Sequence, residues 1–168
     1  RLPVSIPRSV GQLPVYYSYQ NTSRHDYVEG PSTPLYGFGF GLSYTSFSYT
    51  DLQISKSTAG DSLAVKVSFT VSNTGEMDGD EVAQLYLSDQ VSSVVVPNKQ
   101  LKAFKRFHLK KGEQKKITLH LTTEDFALFD ATYTNIAEKG SFKIAIGPSS
   151  DTVKLSGNVV LERSYLVK

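Results

Sequence analysis

The chain has 168 residues, a formal net charge of +2, 39% hydrophobic and 20% charged residues, and no cysteine. These proportions suit a folded domain rather than a disordered segment, and the charge is too small to make nucleic acid or an anionic membrane the main partner. Without cysteine there is no disulfide, no thiolate metal site and no cysteine nucleophile. No apolar run approaches the roughly 18 residues of a membrane-spanning helix.

Arg1 leads directly into Leu2-Pro3-Val4 with neither an initiator Met nor a signal peptide, so the chain is expected to be the carboxyl-terminal piece of a longer protein. Five of the seven prolines fall in the first 34 residues and seven of the ten tyrosines in the first 50. Proline at this density excludes long helices and central strands, leaving short extended pieces at Leu2–Ile6 and Leu13–Tyr17. Only Arg1, Arg8, Arg24, Asp26 and Glu29 carry charge before Phe47, so residues 1–46 are expected to pack against a neighbour. The segment ends on Pro34-Leu35-Tyr36-Gly37-Phe38-Gly39-Phe40-Gly41-Leu42-Ser43-Tyr44, where glycines alternate with aromatics. A dinucleotide-binding loop would need glycine at position 42, which is Leu42, followed by a helix. Close backbone packing with aromatics filling pockets is the better reading.

From Phe47 onward the chain reads as strands. Leu63, Val65, Val67, Phe69 and Val71 alternate with small or polar residues, the period of a half-buried strand. Asn73-Thr74-Gly75 and Asp78-Gly79 then supply turn chemistry. Glu81–Leu87 is apolar on both faces around Gln84, as a strand covered on two sides would be. Leu101–Leu109 follows, with Phe104 out of phase, predicting a bulge near Lys105-Arg106. Ile117, Leu119 and Leu121 alternate next. Strands are predicted over Phe126–Tyr133 and Phe142–Ile146, and a final pair at Val153–Leu155 and Val159–Leu161. A short helical turn at Thr123–Phe126, capped by Thr122 or Thr123, is the only competing pattern. Seven or eight strands over ~120 residues predict a mainly β fold, an antiparallel sandwich of the immunoglobulin-like or fibronectin type III-like kind.

Chemistry is sparse. His108 and His120 fall on outward positions and read as surface residues. His25 lies in the polar loop Asn21–Tyr27, whose Asn, Arg, His, Asp and Tyr are groups that bind sugar hydroxyls, although a solvated turn has the same composition. Asp78, Asp80 and Glu81 lack the oxygen ligands that a calcium loop spreads over about 12 residues and read as a charged turn. Asp125 and Asp130 flank a predicted strand without a partner. No G-x-S-x-G elbow is present. Neither a metal nor a cofactor is expected. Asn21-Thr22-Ser23 matches the glycosylation sequon, which matters only in an exported eukaryotic protein. Tyr86, Tyr133 and Tyr165 are the candidates for an exposed aromatic platform, should the chain be a stand-alone carbohydrate-binding or protein-interaction module.

Several motifs together resemble glycoside hydrolase family 3, closest to the bacterial periplasmic β-glucosidase type. They are Leu2-Pro3-Val4-Ser5-Ile6-Pro7-Arg8-Ser9-Val10-Gly11-Gln12, the Pro34–Phe47 stretch, Gly79-Asp80-Glu81-Val82-Ala83-Gln84-Leu85-Tyr86-Leu87, Pro97–Phe104 and Gly140–Gly147. The resemblance implies that residues 1–46 end an α/β sandwich domain and that residues 47–168 form the fibronectin type III-like domain of such enzymes. It places the aspartate nucleophile and the glutamate acid/base upstream of Arg1, so that no catalytic residue lies here and the chain alone hydrolyses no aryl β-glucoside. The implied parent reaction is retaining hydrolysis of terminal β-linked glucose or xylose. In such enzymes the loop matching Asn21–Tyr27 can lie near the active-site mouth, so the resemblance implies Asn21, Arg24 and His25 as substrate-adjacent candidates. Relatives read Asn-Thr-Gly-Arg-Pro there, and this chain departs from them with Ser23 for the glycine and His25 for the proline. Tyr36, Phe38, Phe40 and Tyr44 are the expected domain-packing residues. The expected partners are the upstream catalytic domains, a β-glucoside oligosaccharide through the parent enzyme, and a second copy in a homodimer, with no nucleic acid and no membrane. The expected location is periplasmic or extracellular.

Overall fold

The computed structural model describes residues 1–12, 15–20 and 31–167. Two antiparallel sheets face each other across one core. The first has the order β1 (Phe47–Ala59), β2 (Ser62–Asn73), β5 (Gln114–Thr122); the second has the order β4 (Gln100–Leu109), β3 (Gly79–Asp89), β8 (Gly140–Gly147), β9 (Leu155–Leu161). A small third sheet joins β6 (Leu128–Phe129), β7 (Asn135–Ala137) and β10 (Tyr165–Leu166). Val65, Val67 and Phe69 from one sheet meet Leu85, Ile144 and Ile146 from the other in a continuous core. This is the mainly β sandwich that the alternating pattern implies.

The helical turn α1 (Thr123–Phe126) forms with Thr122 as its N-cap, and the Thr122 N–H donates to the Asp125 carboxylate at 2.8 Å. It turns Phe126 inward, edge-on to Phe142 with ring centroids 5.1 Å apart. The strand predicted over Phe126–Tyr133 is therefore corrected to a helical turn, a two-residue strand and a loop. Asp130 accepts the N–H groups of Thr132 and Thr134, and Tyr133 sits at φ 61°, outside the extended region of regularly paired strand residues. The bulge also moves. Leu85 pairs with Ala103 and Tyr86 with Leu101, so the unpaired residue is Lys102, not Lys105 or Arg106. Val153 lies outside the last long strand, which holds Leu155 and Val159–Leu161 together.

The thirteen-residue strand β1 carries no alternation that announces it. Its register against β2 slips between Thr50 and Gln53, where Asp51 takes φ 57°. The inward side chains therefore run Tyr49, Leu52, Ile54, and the period of two is broken by the bulge itself.

Among the described residues before Phe47 there is no strand, only isolated bridges from Ile6 to Tyr36 and from Gln20 to Pro97. The described part lies on the outer face of β3. There Gln84 and Tyr86 alternate with the core-facing Ala83, Leu85 and Leu87 and are themselves buried. This accounts for a strand that is closed on both faces, as the sequence of Glu81–Leu87 predicts.

Candidate functional site

Three glycines in the aromatic stretch let its backbone approach its neighbours closely, Gly39 against the sheet itself. A Cβ at Gly39, whose φ is 81°, would lie 2.4 Å from the Gln84 amide oxygen, and one at Gly37 would lie 1.9 Å from an Asp151 carboxylate oxygen. A Cβ at Gly41 would meet the Arg1 side chain at 3.0 Å. Between them Phe38 stacks on Tyr17, with centroids 4.3 Å apart, and Tyr17 meets Tyr86 edge-on at 5.9 Å. The Tyr86 hydroxyl donates to Gln84 at 2.5 Å, the Gln84 amide donates to the Pro148 carbonyl at 2.6 Å, and the Leu101 N–H donates to the Tyr17 hydroxyl at 3.2 Å. Burial pushes the Tyr86 phenol well above its usual range. The glycines thus serve close packing, as their alternation suggests.

The four expected packing aromatics divide. Tyr44 is 94% exposed and Tyr36 43% exposed, while Phe38 and Phe40 are half-buried. Phe38 is covered by Tyr17 of this same chain. Phe40 tilts against Tyr36 at 4.7 Å, and the two line an open apolar face with Leu2, Ile6 and the 90% exposed Leu42. Asn21, Arg24 and His25 lie outside the described residues.

The acidic cluster diverges instead of converging. Glu81 is buried and ion-paired with Arg1, correcting its reading as part of a charged turn. Asp78 accepts the Lys111 N–H at 2.7 Å. Asp80 pairs with Arg106 and accepts from His108 Nδ1 at 2.8 Å, and these two hydrogen bonds hold its carboxyl below the usual range. His108 is thus exposed but partnered. Among the described residues no three His, Asp or Glu side chains gather in a way that would hold a metal ion.

The platform reading fails on geometry. Tyr86 and Tyr165 are buried, and only Tyr133 of the three is exposed. A different cluster, which the sequence does not announce, lies where the first segment meets the sandwich. Lys99 donates to the Ser150 carbonyl at 2.7 Å and stands 4.0 Å from the Asp151 carboxylate. Burial lowers the pKa of its ammonium, and Asp151 partly offsets that shift. These residues are 52 positions apart, so no local motif could have joined them.

Comparison with known proteins gives a consistent result. Residues 81–150 match the model of the fibronectin type III-like domain. The chain is 41% identical over 165 residues to the periplasmic β-glucosidase of Salmonella typhimurium, covering 92% of this chain and 22% of that one. It is 38% identical over 154 residues to a β-xylosidase of Formosa agariphila, covering 89% and 21%. A solved β-glucosidase structure from Erythrobacter marinus superposes with a TM-score of 0.86 at 40% identity, over 94% of this chain and 21% of that one. The chain spans about a fifth of the length of the curated relatives it matches.

Proposed function

We propose that this chain, the carboxyl-terminal accessory portion of a glycoside hydrolase of family 3 built around a fibronectin type III-like domain, braces the catalytic domains of a retaining β-glucosidase. In this reading residues 1–46 end the preceding α/β domain, and residues 47–168 form the accessory domain. Both catalytic carboxylates belong to the upstream polypeptide, and the substrate is a terminal β-D-glucosyl residue of an oligosaccharide. The β-xylosidase relatives make a terminal β-xyloside the second substrate class. The periplasmic β-glucosidase among the relatives supports a periplasmic or secreted location in this reading.

The observation that carries the bracing role is the open face of Leu2, Ile6, Tyr36, Phe40 and Leu42. Aromatic and aliphatic side chains left open on a chain matching one fifth of its relatives mark a surface with a partner, and we assign the upstream domains to it, together with the exposed Tyr44. Neither Asn21, Arg24 nor His25 is needed for this role; their place beside substrate remains a proposal drawn from the family motif.

Gel filtration with the upstream polypeptide tests the docking. The wild-type chain is expected to co-elute with it, and the Tyr36→Asp, Leu42→Asp variant to elute alone. Equal co-elution of both would remove the face from the account. A second copy on the same face, the homodimer, is read in the same run as a doubled mass of the chain alone.

A further inference from the structure

The cluster at the seam between the first segment and the sandwich borders a cavity of about 190 Å³. Tyr16, Tyr17, Tyr19, Ser32, Lys99 and Asp151 stand around it. We infer that this cavity is a binding site for a single glycosyl unit of a β-linked oligosaccharide, with the tyrosines as its apolar wall and Lys99 and Asp151 as its hydrogen-bonding pair.

The chemistry of the lining selects the ligand class. A pyranose is uncharged, has one apolar face of C–H groups, and carries hydroxyls that both donate and accept. It needs an aromatic wall on one side and a small number of fixed polar groups on the other. Asp151 supplies only acceptors, for hydroxyl donors; Lys99 supplies only donors, for hydroxyl oxygens. Opposite charges 4.0 Å apart leave little net charge for an anion or a cation to seek. A wholly apolar ligand would strip water from both groups without replacing their hydrogen bonds.

The site is also built in advance. Lys99 is tethered by the Ser150 carbonyl at 2.7 Å. Asp151 accepts the Ser150 hydroxyl at 3.0 Å and lies against Gly37, where any side chain would collide with its carboxylate. Tyr17 is fixed by its stack on Phe38 and by the Leu101 N–H. Tyr16, by contrast, is 67% exposed, an aromatic surface on the rim. Groups held this way lose little freedom when a ligand arrives.

The choice of a β-linked sugar rests on the accessory reading above; the pocket itself does not. The test is therefore made on the 168-residue chain, without the parent activity. Cellotriose and xylotriose are titrated into labelled chain and amide shifts are followed by NMR, with maltotriose as the α-linked comparison. Saturable shifts confined to residues 15–20, 31–34, 97–101 and 149–153 are expected, and Tyr16→Ala is expected to weaken the dissociation constant about tenfold with an unchanged melting temperature. Asp151→Asn should weaken it as well while keeping the Gly37 contact. Absence of shifts at 20-fold sugar excess, or shifts that survive both substitutions, would overturn the site. Saturable binding by a chain that fails to co-elute with the upstream polypeptide would uphold the pocket and count only against the bracing role. Equal binding of maltotriose would overturn the β-linked assignment.

Discussion

Glu81 sits with its carboxylate out of solvent, its Oε1 accepting the Val82 N–H at 2.6 Å and the Arg1 guanidinium. Arg1 in turn donates to the Gly41 carbonyl at 2.5 Å, so one side chain neutralises the buried charge and fastens the aromatic stretch. Removing one partner of such a pair leaves the other charge buried and unpaired. Arg1→Ala is predicted to cost about 3 kcal/mol in urea denaturation, and Glu81→Gln in the same chain should recover most of it. Equal losses in the single and double variants would deny the pairing. Asp89 behaves in the opposite sense. Burial raises its carboxyl above the ordinary range, only partly offset by the Val91 N–H at 3.1 Å. With the folded pKa above the unfolded one, the carboxylate costs stability at neutral pH. That cost is relieved as pH falls through the folded value towards the unfolded one, near 4. Asp89→Asn should therefore raise the melting temperature at pH 7 and lose its advantage near pH 4. An advantage independent of pH would assign the effect to packing.

At the scale of the strand, Gly147 is the position where geometry leaves no choice. A Cβ there would stand 1.8 Å from the Thr152 carbonyl oxygen, and that atom belongs to the backbone linking β8 to β9. Gly147→Ala is predicted to cost about 2 kcal/mol, the scale of overpacking against groups that cannot turn aside. Gly112→Ala, at φ 73° with open space around it, should cost less, through backbone strain alone. The two measured side by side separate collision from conformation, and equal losses would refute the collision. The same contrast explains what was legible in the sequence. β2 and β5 show their period because one face is core and the other is solvent. β3 shows burial on both faces because Gln84 and Tyr86 are covered by the aromatic stretch. β1 stays silent because the slip at Asp51 breaks its period, and the bulge at Lys102 is misplaced because the exposed Phe104 on edge strand β4 mimics a break in phase. Glu81 reads as surface because its partner lies 80 residues away. Lys99 and Asp151 are invisible for the same reason: long-range pairs leave no local pattern.

Across the whole molecule, a sandwich with a complete core carries on its flank a proline- and tyrosine-rich segment that is only partly covered. The outer face of β3 accounts for Tyr17, Phe38 and Gly39. It leaves Tyr36, Phe40, Leu42 and Tyr44 for another surface. The proposed bracing role draws on that remainder, and under that proposal the bond-breaking chemistry belongs to the polypeptide upstream. The decisive measurement is turnover of an aryl β-glucoside by the purified 168-residue chain, alone and mixed with its separately expressed upstream polypeptide. No hydrolysis by the chain alone, and a mixture more active and more heat-resistant than the upstream polypeptide by itself, is the predicted result. Turnover by the chain alone, or an upstream polypeptide indifferent to its presence, would contradict it.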